Sequence, residues 1–503
     1  MITFIVALVV LVVGYVLYGT FVEKIFGIDP KAETPAITKN DGVDFVPMSG
    51  WRIFLVQFLN IAGLGPIFGA IMGIFFGPAA FLWIVFGTIF AGGVHDYLSG
   101  MLSLRKGGVS LPEIVGSELG SGIRVFMRVL SLVLLLLLTT TFLSGPATLL
   151  QGLAPLSTLP FHGRALPIAW LLIIFAYYAM ATVLPVDKLI GRFYPIFGAM
   201  LLFMGVGIAI VMLTQHGSAM PELTDGLQNR KADGLPLFPM MFVSIACGAI
   251  SGFHGTQSPI MSRCLTNERQ GRWIFYGAMV AEGILALIWA AAAGTFFADP
   301  EQGLDGIGGL QAFASHYDRG TNLPALIVDK VSRSWLGTVG GVLAIIGVIA
   351  APITSGDTAL RSARLIVADF LHIDQKPKMK RLMIALPLFL CVFGLVFVNF
   401  EIVWRYFSWT NQTLAMFTLW AGTVWPYRNQ KSEIRNQKYS FGYLIALIPA
   451  LFMTMVSTSY ILIAPEGFRL PEQYRWIGYA IAGVITLACL CGFTFWARNY
   501  KTK

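Results

Sequence analysis

The sequence predicts an all-α polytopic membrane protein with about thirteen transmembrane helices, and three observations support this fold class. Of the 503 residues, 56% are hydrophobic and 12% are charged, whereas about a quarter of an ordinary soluble protein is charged. The apolar residues run in blocks of about twenty, the length that crosses a bilayer as a helix. Lys and Arg gather in alternate connections between these blocks. Together these features exclude a soluble enzyme, a disordered chain, a nucleic-acid binder and a disulfide-rich secreted protein.

The predicted spans follow directly from the apolar blocks. The first block lacks a basic start and a small-residue cleavage site, so we expect it to stay as a helix instead of being removed as a signal peptide. The blocks cover residues 2–22, 53–74, 79–99, 124–150, 166–184, 192–213, 238–261, 273–297, 336–356, 381–399, 402–425, 441–463 and 475–496.

The distribution of positive charge orients these spans. Of the 35 Lys and Arg residues, 26 lie in or beside every second connection, beginning with the connection 23–50. Cytoplasmic loops carry the excess of Lys and Arg, so the N-terminus is predicted to be periplasmic and the C-terminus cytoplasmic. The net charge of +9 therefore reflects membrane topology and requires no nucleic-acid partner. The five cysteines form no CxxC pair, so we expect buried thiols and no metal centre.

Two spans carry Gly and Pro clusters that predict interruptions. The second span reads NIAGLGPI over residues 60–67, and the seventh reads GAISGFHGTQSPI over residues 248–260. Such clusters expose peptide groups that a membrane tolerates only in a cavity or inside protein. The two spans start five spans apart and run in opposite directions, which predicts a five-plus-five inverted repeat. The expected division is 1–50 for an extra helix and loop, 51–214 and 237–426 for the two repeats, and 439–503 for two C-terminal helices.

Paired interruptions in inverted halves indicate a transport site near the middle of the membrane. The N-termini of half-helices offer N–H groups to a substrate carboxylate, and unwound carbonyls can hold a cation. Alternatively, the glycines serve close helix packing, and His254 is a neutral histidine bonded to a free carbonyl. The predicted substrate-binding residues are Asn60, Gly63, Gly65, Ser251, His254, Gln257 and Ser258.

Further polar residues inside the spans are candidates for coupling a cation or for gating. Glu282 could load and release a proton, or it could accept hydrogen bonds from a broken helix. Thr354 and Ser355 could give hydroxyl oxygens to sodium, or bond back to their own helix. Asp357 is a third coupling candidate, although it could pair with an arginine four residues on. His95 and Asp96 are predicted as an inner gate or a structural pair.

Weaker candidates for lining the cavity lie in two other spans. They are residues 139–141 in the fourth span and residues 411–412 in the eleventh. No cluster with metal-ligand spacing, no nucleotide-binding loop and no nucleophile triad is visible in the sequence, so neither a metal cofactor nor ATP-driven pumping is predicted.

Several segments together resemble the carbon starvation protein A family of bacterial inner-membrane transporters. The resemblance rests on NDGVDFVP (40–47), NIAGLGPIFGA (60–70), LWIVFGTIFAGGVHDYLSG (82–100), ACGAISGFHGTQSP (246–259), TSGDTALRSARL (354–365) and TNQTLA (410–415). It implies uptake of peptides, or of pyruvate in some members, on a fold like that of the leucine transporter. This chain lacks the larger C-terminal region of longer members, and it has Val56-Gln57 where they tend to have histidines and VHDY where they have VQDF.

The predicted function is import of small peptides by cation symport, with either proton or sodium as the coupled ion, during carbon starvation. The predicted partners are the substrate and membrane lipid. Three alternatives remain at this point: a pyruvate or monocarboxylate:proton symporter, a channel whose broken helices form a filter, and a membrane-embedded enzyme that uses His95, Asp96 and His254 as acid and base groups.

Overall fold

A computed structural model describes residues 1–42, 44–161, 164–183, 186–299, 306–317, 321–373, 377–428 and 441–501. Within these residues the chain is almost entirely helical, as the apolar blocks predict. The helices are α1 Ile2–Phe26, α2 Pro35–Thr38, α3 Gly50–Ile61, α4 Leu64–Ile74, α5 Ala79–Arg105, α6 Leu111–Leu119, α7 Ser121–Leu153, α8 Ile168–Val183, α9 Val186–Gln215, α10 Leu237–Ser244, α11 Gly252–Ser262, α12 Glu268–Ala298, α13 Gly306–Ser315, α14 Leu323–Leu371, α15 Lys378–Leu395, α16 Phe400–Arg428, α17 Leu444–Ile463 and α18 Arg475–Lys501.

The all-α membrane architecture is confirmed. Among the described residues, nine helices are long and apolar enough to cross a membrane, and the bent pair α3–α4 brings that number to ten. The remaining predicted spans fall on the short apolar helix α8, on the divided pair α10–α11 and on α16. The number thirteen and the inverted repeat remain predictions.

Both predicted interruptions are present in the structure. Helices α3 and α4 meet at an angle of 44°, because Ala62 and Gly63 leave the helical conformation. Between α10 and α11 the residues 245–251 form no helix. His254 therefore lies in the first turn of α11, just after the second break instead of within it. Each break contains glycine, which has the lowest helix propensity of any residue apart from proline.

Several elements of the connections did not follow from the apolar blocks. The short helix α6 precedes α7, and strands β1 (Leu159–Phe161) and β2 (Arg164–Leu166) form an antiparallel hairpin after it. Helix α14 begins well before its predicted span and is divided at Gly337, whose φ of +67° is a conformation that glycine adopts at low cost.

The interior of the bundle is formed by the helices next to the two breaks. In both α5 and α12, 83% of the most apolar 18-residue stretch is buried inside the protein. The corresponding share is 28% in α1 and 17% in the last helix. Helix α4 packs against α12, α11 against α5, and α7 against α14. The broken helices therefore lie in the protein interior, which is the environment that their exposed peptide groups require.

Candidate functional site

The two helix breaks contact each other in the centre of the bundle. A Cβ atom placed on Gly65 would lie 2.3 Å from Sγ of Cys247, and one on Gly248 would lie 2.5 Å from Cβ of Ala286 and 3.6 Å from Cα of Pro66. These positions permit only a hydrogen where another residue would carry a side chain. The glycines thus bring the first turn of α4 against the non-helical segment that precedes α11. The sequence predicted two separate breaks but not their direct contact.

Helix α16 supplies the side chains that stabilise the second break. Nδ2 of Asn411 donates to the carbonyl oxygen of Ala246 at 3.2 Å, and its Oδ1 accepts from the backbone N–H of Phe253 at 2.7 Å. Nε2 of Gln412 lies within hydrogen-bonding distance of the carbonyl oxygens of Ala246 and Ile250, at 3.1 and 3.2 Å. Peptide groups released by the unwinding are therefore paired with amide side chains, which avoids the cost of leaving them buried and unsatisfied.

Four ionisable side chains form a continuous row beside this break, and we call them the buried row: His95, Asp96, His254 and Glu282. Asp96 forms a hydrogen bond with each histidine. Its Oδ1 lies 2.8 Å from Nδ1 of His95, and its Oδ2 lies 2.9 Å from Nδ1 of His254. The other ring nitrogen of His254, Nε2, lies 3.2 Å from Oε2 of Glu282. All four residues are fully buried. Helices α5, α11 and α12 each contribute to the row.

The order of groups in the buried row restricts its protonation. The two histidines and two carboxylates alternate along the row, so that His254 lies between Asp96 and Glu282. With both carboxylates ionised and both histidines neutral, the row would hold two uncompensated negative charges in the protein interior, which is costly. One proton on His254 and a second on Glu282 make the row neutral as a whole.

At the first break the predicted cation ligands occupy a shared position. The hydroxyl of Ser355 lies 2.8 Å from the carbonyl oxygen of Asn60 and 2.9 Å from that of Ala351. Thr354 donates to the same Ala351 carbonyl at 2.7 Å. The hydroxyl oxygens and the released carbonyls are therefore close together, as a hard cation requires. Both hydroxyls also bond back to their own helix, which was the alternative interpretation.

The remaining predicted substrate residues contact several helices around the two breaks. Ser258 accepts a hydrogen bond from Nε2 of Gln57 at 3.1 Å, and Ser251 bonds to Asn411. Gln257 is fully buried, and neither end of its amide has a hydrogen-bond partner among the described residues. A Cβ on Gly63 would lie 2.9 Å from the ring of Phe142 and 3.4 Å from Oγ of Ser355. Gln257 is thus a predicted substrate-binding residue whose amide can still form hydrogen bonds.

Asp357 lies apart from these contacts. It is on α14 close to Ser355 in sequence, and its predicted pairing with Arg361 is not among the ion pairs formed by the described residues. Oδ1 of Asp357 has no hydrogen-bond partner in the same part of the chain, although the residue is buried. In the described part of the chain, no hydrogen bond or ion pair links this carboxylate to either break.

Residues 139–141 do not extend the central site. Their three hydroxyls each donate to the backbone carbonyl four residues earlier. Thr140 nevertheless lines a separate cavity of about 490 Å³ at the end of α7 that lies towards the predicted periplasmic side. Helices α8, α14, α15 and α16 complete its wall.

Ion pairs join helix ends on the opposite side of the bundle. The guanidinium of Arg105, at the end of α5, contacts both carboxylate oxygens of Glu268 at 3.0 and 2.9 Å. Glu268 also accepts from the backbone N–H of Asp29 at 2.7 Å, which ties the end of α1 to the start of α12. Glu118 contacts Lys106 at 2.8 Å. This side is the predicted cytoplasmic side.

Among the described residues, no group of three or more His, Cys, Asp or Glu side chains is arranged to hold a metal ion. Of the residues that sequence reasoning missed, Cys247, Gln57 and Ala351 are the ones that contact predicted site residues. Cys247 was visible as part of the second break but carries no pattern of its own. Gln57 precedes the first break by more than one helical turn, and its spacing alone gave no reason to expect it to face α11.

Comparisons with known proteins relate the chain to membrane transporters. Residues 1–162 and 161–305 match the family model described as carbon starvation protein CstA. A Haemophilus influenzae protein described as an uncharacterized membrane protein is 46% identical over 61% of this chain and 94% of its own length. The Escherichia coli pyruvate/proton symporter BtsT is 28% identical over 64% of this chain and 53% of its length, and the Campylobacter jejuni peptide transporter CstA is 30% identical over 56% and 48%. The chain thus spans about half the length of these two named transporters.

The fold is similar to that of solved transporter structures. A crystal structure of the Eremococcus coleocola manganese transporter has a TM-score of 0.55 with 13% sequence identity, and the alignment covers 92% of this chain and 98% of that protein. At this identity the likeness concerns the arrangement of helices alone. It agrees with a polytopic membrane protein.

Proposed function

Because the chain belongs to the carbon starvation protein CstA family, we propose that it is a secondary active transporter of the bacterial inner membrane that imports short peptides together with a cation. The N-terminus would be periplasmic and the C-terminus cytoplasmic, as the Lys and Arg distribution indicates. The single observation that carries the proposal is the contact between the two helix breaks next to the buried row. Two named relatives are a peptide transporter and a pyruvate/proton symporter, which supports transport of carboxylate-bearing solutes.

The substrate carboxylate would bind where the half-helices α4 and α11 begin. Helix N-termini attract anions because their first N–H groups lack partners within the helix. Gln257 lies on α11 one turn after His254, and its amide is free to donate and accept among the described residues. We assign it to the peptide group or carboxylate of the substrate. His254 is enclosed by two carboxylates, so we assign it to proton exchange instead.

The buried row supports a proton as the coupled ion. Alternating access requires that one conformation binds the cation more tightly than the other, since a ligand shifts a population only by its differential affinity. The row joins α5 to α11 and α12. A movement of α11 relative to the other two helices changes the distances from His254 to Asp96 and Glu282, and with them the proton affinity of the row.

Sodium coupling is the second candidate, and a different observation supports it. Ser355 and Thr354 lie against the carbonyl oxygens of residues 60 and 351. Oxygen ligands of this kind suit a hard monovalent cation. In that case the buried row would be a fixed structural element, and transport would follow a sodium gradient.

Pyruvate import remains the alternative substrate assignment, because the relative BtsT is named a pyruvate/proton symporter. A channel is the other alternative. It predicts flux that does not saturate and does not depend on the direction of an ion gradient, whereas a symporter accumulates its solute against a concentration difference.

Uptake into proteoliposomes tests the proposal. Purified protein is reconstituted, and entry of labelled alanyl-alanine or labelled pyruvate is followed under an inward proton gradient, an inward sodium gradient or no gradient. We expect saturable accumulation of the dipeptide with the proton gradient only. Equal entry under all three conditions would exclude symport, and accumulation with sodium alone would transfer the coupling role to Ser355 and Thr354.

A further inference from the structure

The cavity next to the predicted periplasmic surface has a wall whose chemistry differs from that of the central site. Its volume of about 490 Å³ falls within the range of small-molecule sites, about 300–1,000 Å³. One face of α7 contributes Thr140, Ser144, Thr148 and Gln151, which follow one another at intervals of four, four and three residues. Residues at these intervals share one side of a helix. Leu171, Leu326 and Val403 provide apolar surface opposite this stripe.

The wall contains hydrogen-bonding groups but no charged side chain among the described lining residues. A small anion without a cationic partner would lose hydration in such a site, and the loss is not repaid. A peptide backbone carries neutral donors and acceptors, which amide and hydroxyl groups can satisfy. The composition of the wall therefore favours a peptide over a lone monocarboxylate.

Asn322 provides a specific donor at this wall. Its Oδ1 accepts from the backbone N–H of Ala325 at 3.3 Å and so caps the start of α14. Its Nδ2 has no hydrogen-bond partner among the described residues, although Asn322 is only 6% exposed. A buried amide donor without a partner carries an energetic cost, and a ligand carbonyl or carboxylate would remove that cost.

An ion pair lies beside Gly152, a residue of the cavity wall. Nε of Arg333 contacts Oδ1 of Asp329 at 2.8 Å, and Nη2 of the same arginine donates to the carbonyl oxygen of Gly152 at 3.1 Å. Both side chains are about one-third exposed. A zwitterionic peptide has a carboxylate for Arg333 and an ammonium group for Asp329. A monocarboxylate can bind only the arginine.

Aromatic rings connect the cavity to the central site without an open passage. Phe400 lines the cavity, and ring contacts lead from it through Trp404, Phe407 and Phe142 to Phe253. Phe253 directly precedes His254. These rings, apart from Phe400, are nearly inaccessible to solvent, so the cavity and the buried row are separate compartments in this conformation.

We propose that this cavity is a loading site for short zwitterionic peptides, which bind there before the aromatic rings move and admit them to the helix breaks. The inference rests on the proposed transport function and deepens it by naming the substrate class and its first binding site. Peptide amides would bind the α7 stripe and Asn322. The termini would bind Asp329 and Arg333.

The decisive experiment measures binding of labelled alanyl-alanine to the purified full-length protein, with pyruvate as competitor. Asn322→Asp keeps the oxygen that caps α14 but removes the amide donor, and Ser144→Trp fills the cavity. We expect Asn322→Asp to bind the dipeptide about tenfold more weakly, the value of one hydrogen bond, and Ser144→Trp to bind it at least as weakly because the indole occupies the cavity. The matched control is Asn229→Asp, the same chemical change at an exposed position outside the cavity, and it should leave affinity unchanged.

A thermal unfolding scan of each variant separates lost binding from lost folding, because Asn322→Asp preserves the cap. Wild-type affinity in both folded cavity variants, or displacement of the dipeptide by equimolar pyruvate, would overturn the loading site. A different result would contradict the proposed function but not the loading site: wild-type protein would bind the dipeptide, yet no ion gradient would drive its accumulation. Gradient-driven accumulation that is unchanged in both cavity variants would retain the function and reject the site.

Discussion

At the scale of single residues, Glu282 is the most informative side chain. It ends the buried row, its Oε2 lies 3.2 Å from Nε2 of His254, and it is fully buried on α12. Ionisable groups within membrane spans are costly and are retained for a purpose. Asp96 already has two histidine partners, whereas Glu282 has one, which makes it the better candidate for gaining and losing a proton.

Glu282→Gln should separate transport from coupling. The amide has the shape of the protonated acid but cannot release a proton, so accumulation driven by a proton gradient should fall to roughly the level reached without a gradient. Exchange of internal for external dipeptide, which needs no net proton movement, should continue. Both rates are measured in the same proteoliposomes. Glu472→Gln, at a glutamate whose side chain is 83% exposed, serves as the control, and undiminished accumulation in Glu282→Gln would remove this residue from the coupling mechanism.

At the scale of elements, the contact between the two breaks depends on small residues. Gly65 lies in the first turn of α4, directly against Cys247, and Gly248 lies against Pro66. Close approach of backbones is how membrane helices associate without a hydrophobic driving force. The same glycines therefore serve packing and interruption together, and the two interpretations of the sequence motif do not exclude each other.

Gly65→Ala should destabilise the folded protein by about 1–3 kcal/mol, the usual cost of overpacking. Its added Cβ would lie 2.3 Å from Sγ and 2.4 Å from Cβ of Cys247. The double variant Gly65→Ala/Cys247→Gly removes both atoms and should lose less stability than the single one. Thermal unfolding in detergent measures the difference. Gly483→Ala, where no atom lies within 4 Å of the new Cβ, is the matched control; an equal loss in all three variants would contradict the packing argument.

The sequence predicted the breaks because glycine and proline act locally, through the conformation of their own residues. It could not predict their partners, which lie far along the chain. Asn411 and Gln412 appeared as weak cavity candidates, and their role in pairing the released carbonyls became visible only with the fold. Similarly, His95, Asp96, His254 and Glu282 were recognised one by one from burial cost. Their order as a row depends on how α5, α11 and α12 pack, which hydropathy does not encode.

At the scale of the whole molecule, the two membrane faces differ. A cavity of about 490 Å³ lies towards the predicted periplasmic side, while ion pairs join helix ends on the predicted cytoplasmic side. Arg105 and Glu268 bring the ends of α1 and α5 to the start of α12. Ion pairs also join elements on the predicted periplasmic side, such as Arg405 with Glu466 and His216 with Asp299, so the cavity and not the ion pairs distinguishes the two faces.

Glu268→Gln should shift the population towards a conformation open on the cytoplasmic side, because it removes the charge that holds Arg105. Cys264 reports the change, since it is 7% exposed and lies close to Glu268 in sequence. In a chain with Ser at positions 391, 489 and 491, a membrane-impermeant thiol reagent applied to the cytoplasmic face should label Cys264 several-fold faster in the variant.

The comparison for that labelling is Glu401→Gln, which removes a carboxylate paired with Arg405 on α16, away from this face. The same labelling rate in wild type and Glu268→Gln would show that the Arg105 pair does not hold this side closed.

The buried row also sets an energetic ceiling. Under the proposed proton coupling, the row would carry one proton per transport cycle, and each unit of pH difference would then be worth about 1.4 kcal/mol. For a solute without net charge, the pH difference alone would sustain about a tenfold higher internal concentration per unit. With such a carrier, steep accumulation of the solute would require a large proton-motive force, because the coupling ratio sets the highest concentration ratio that can be sustained.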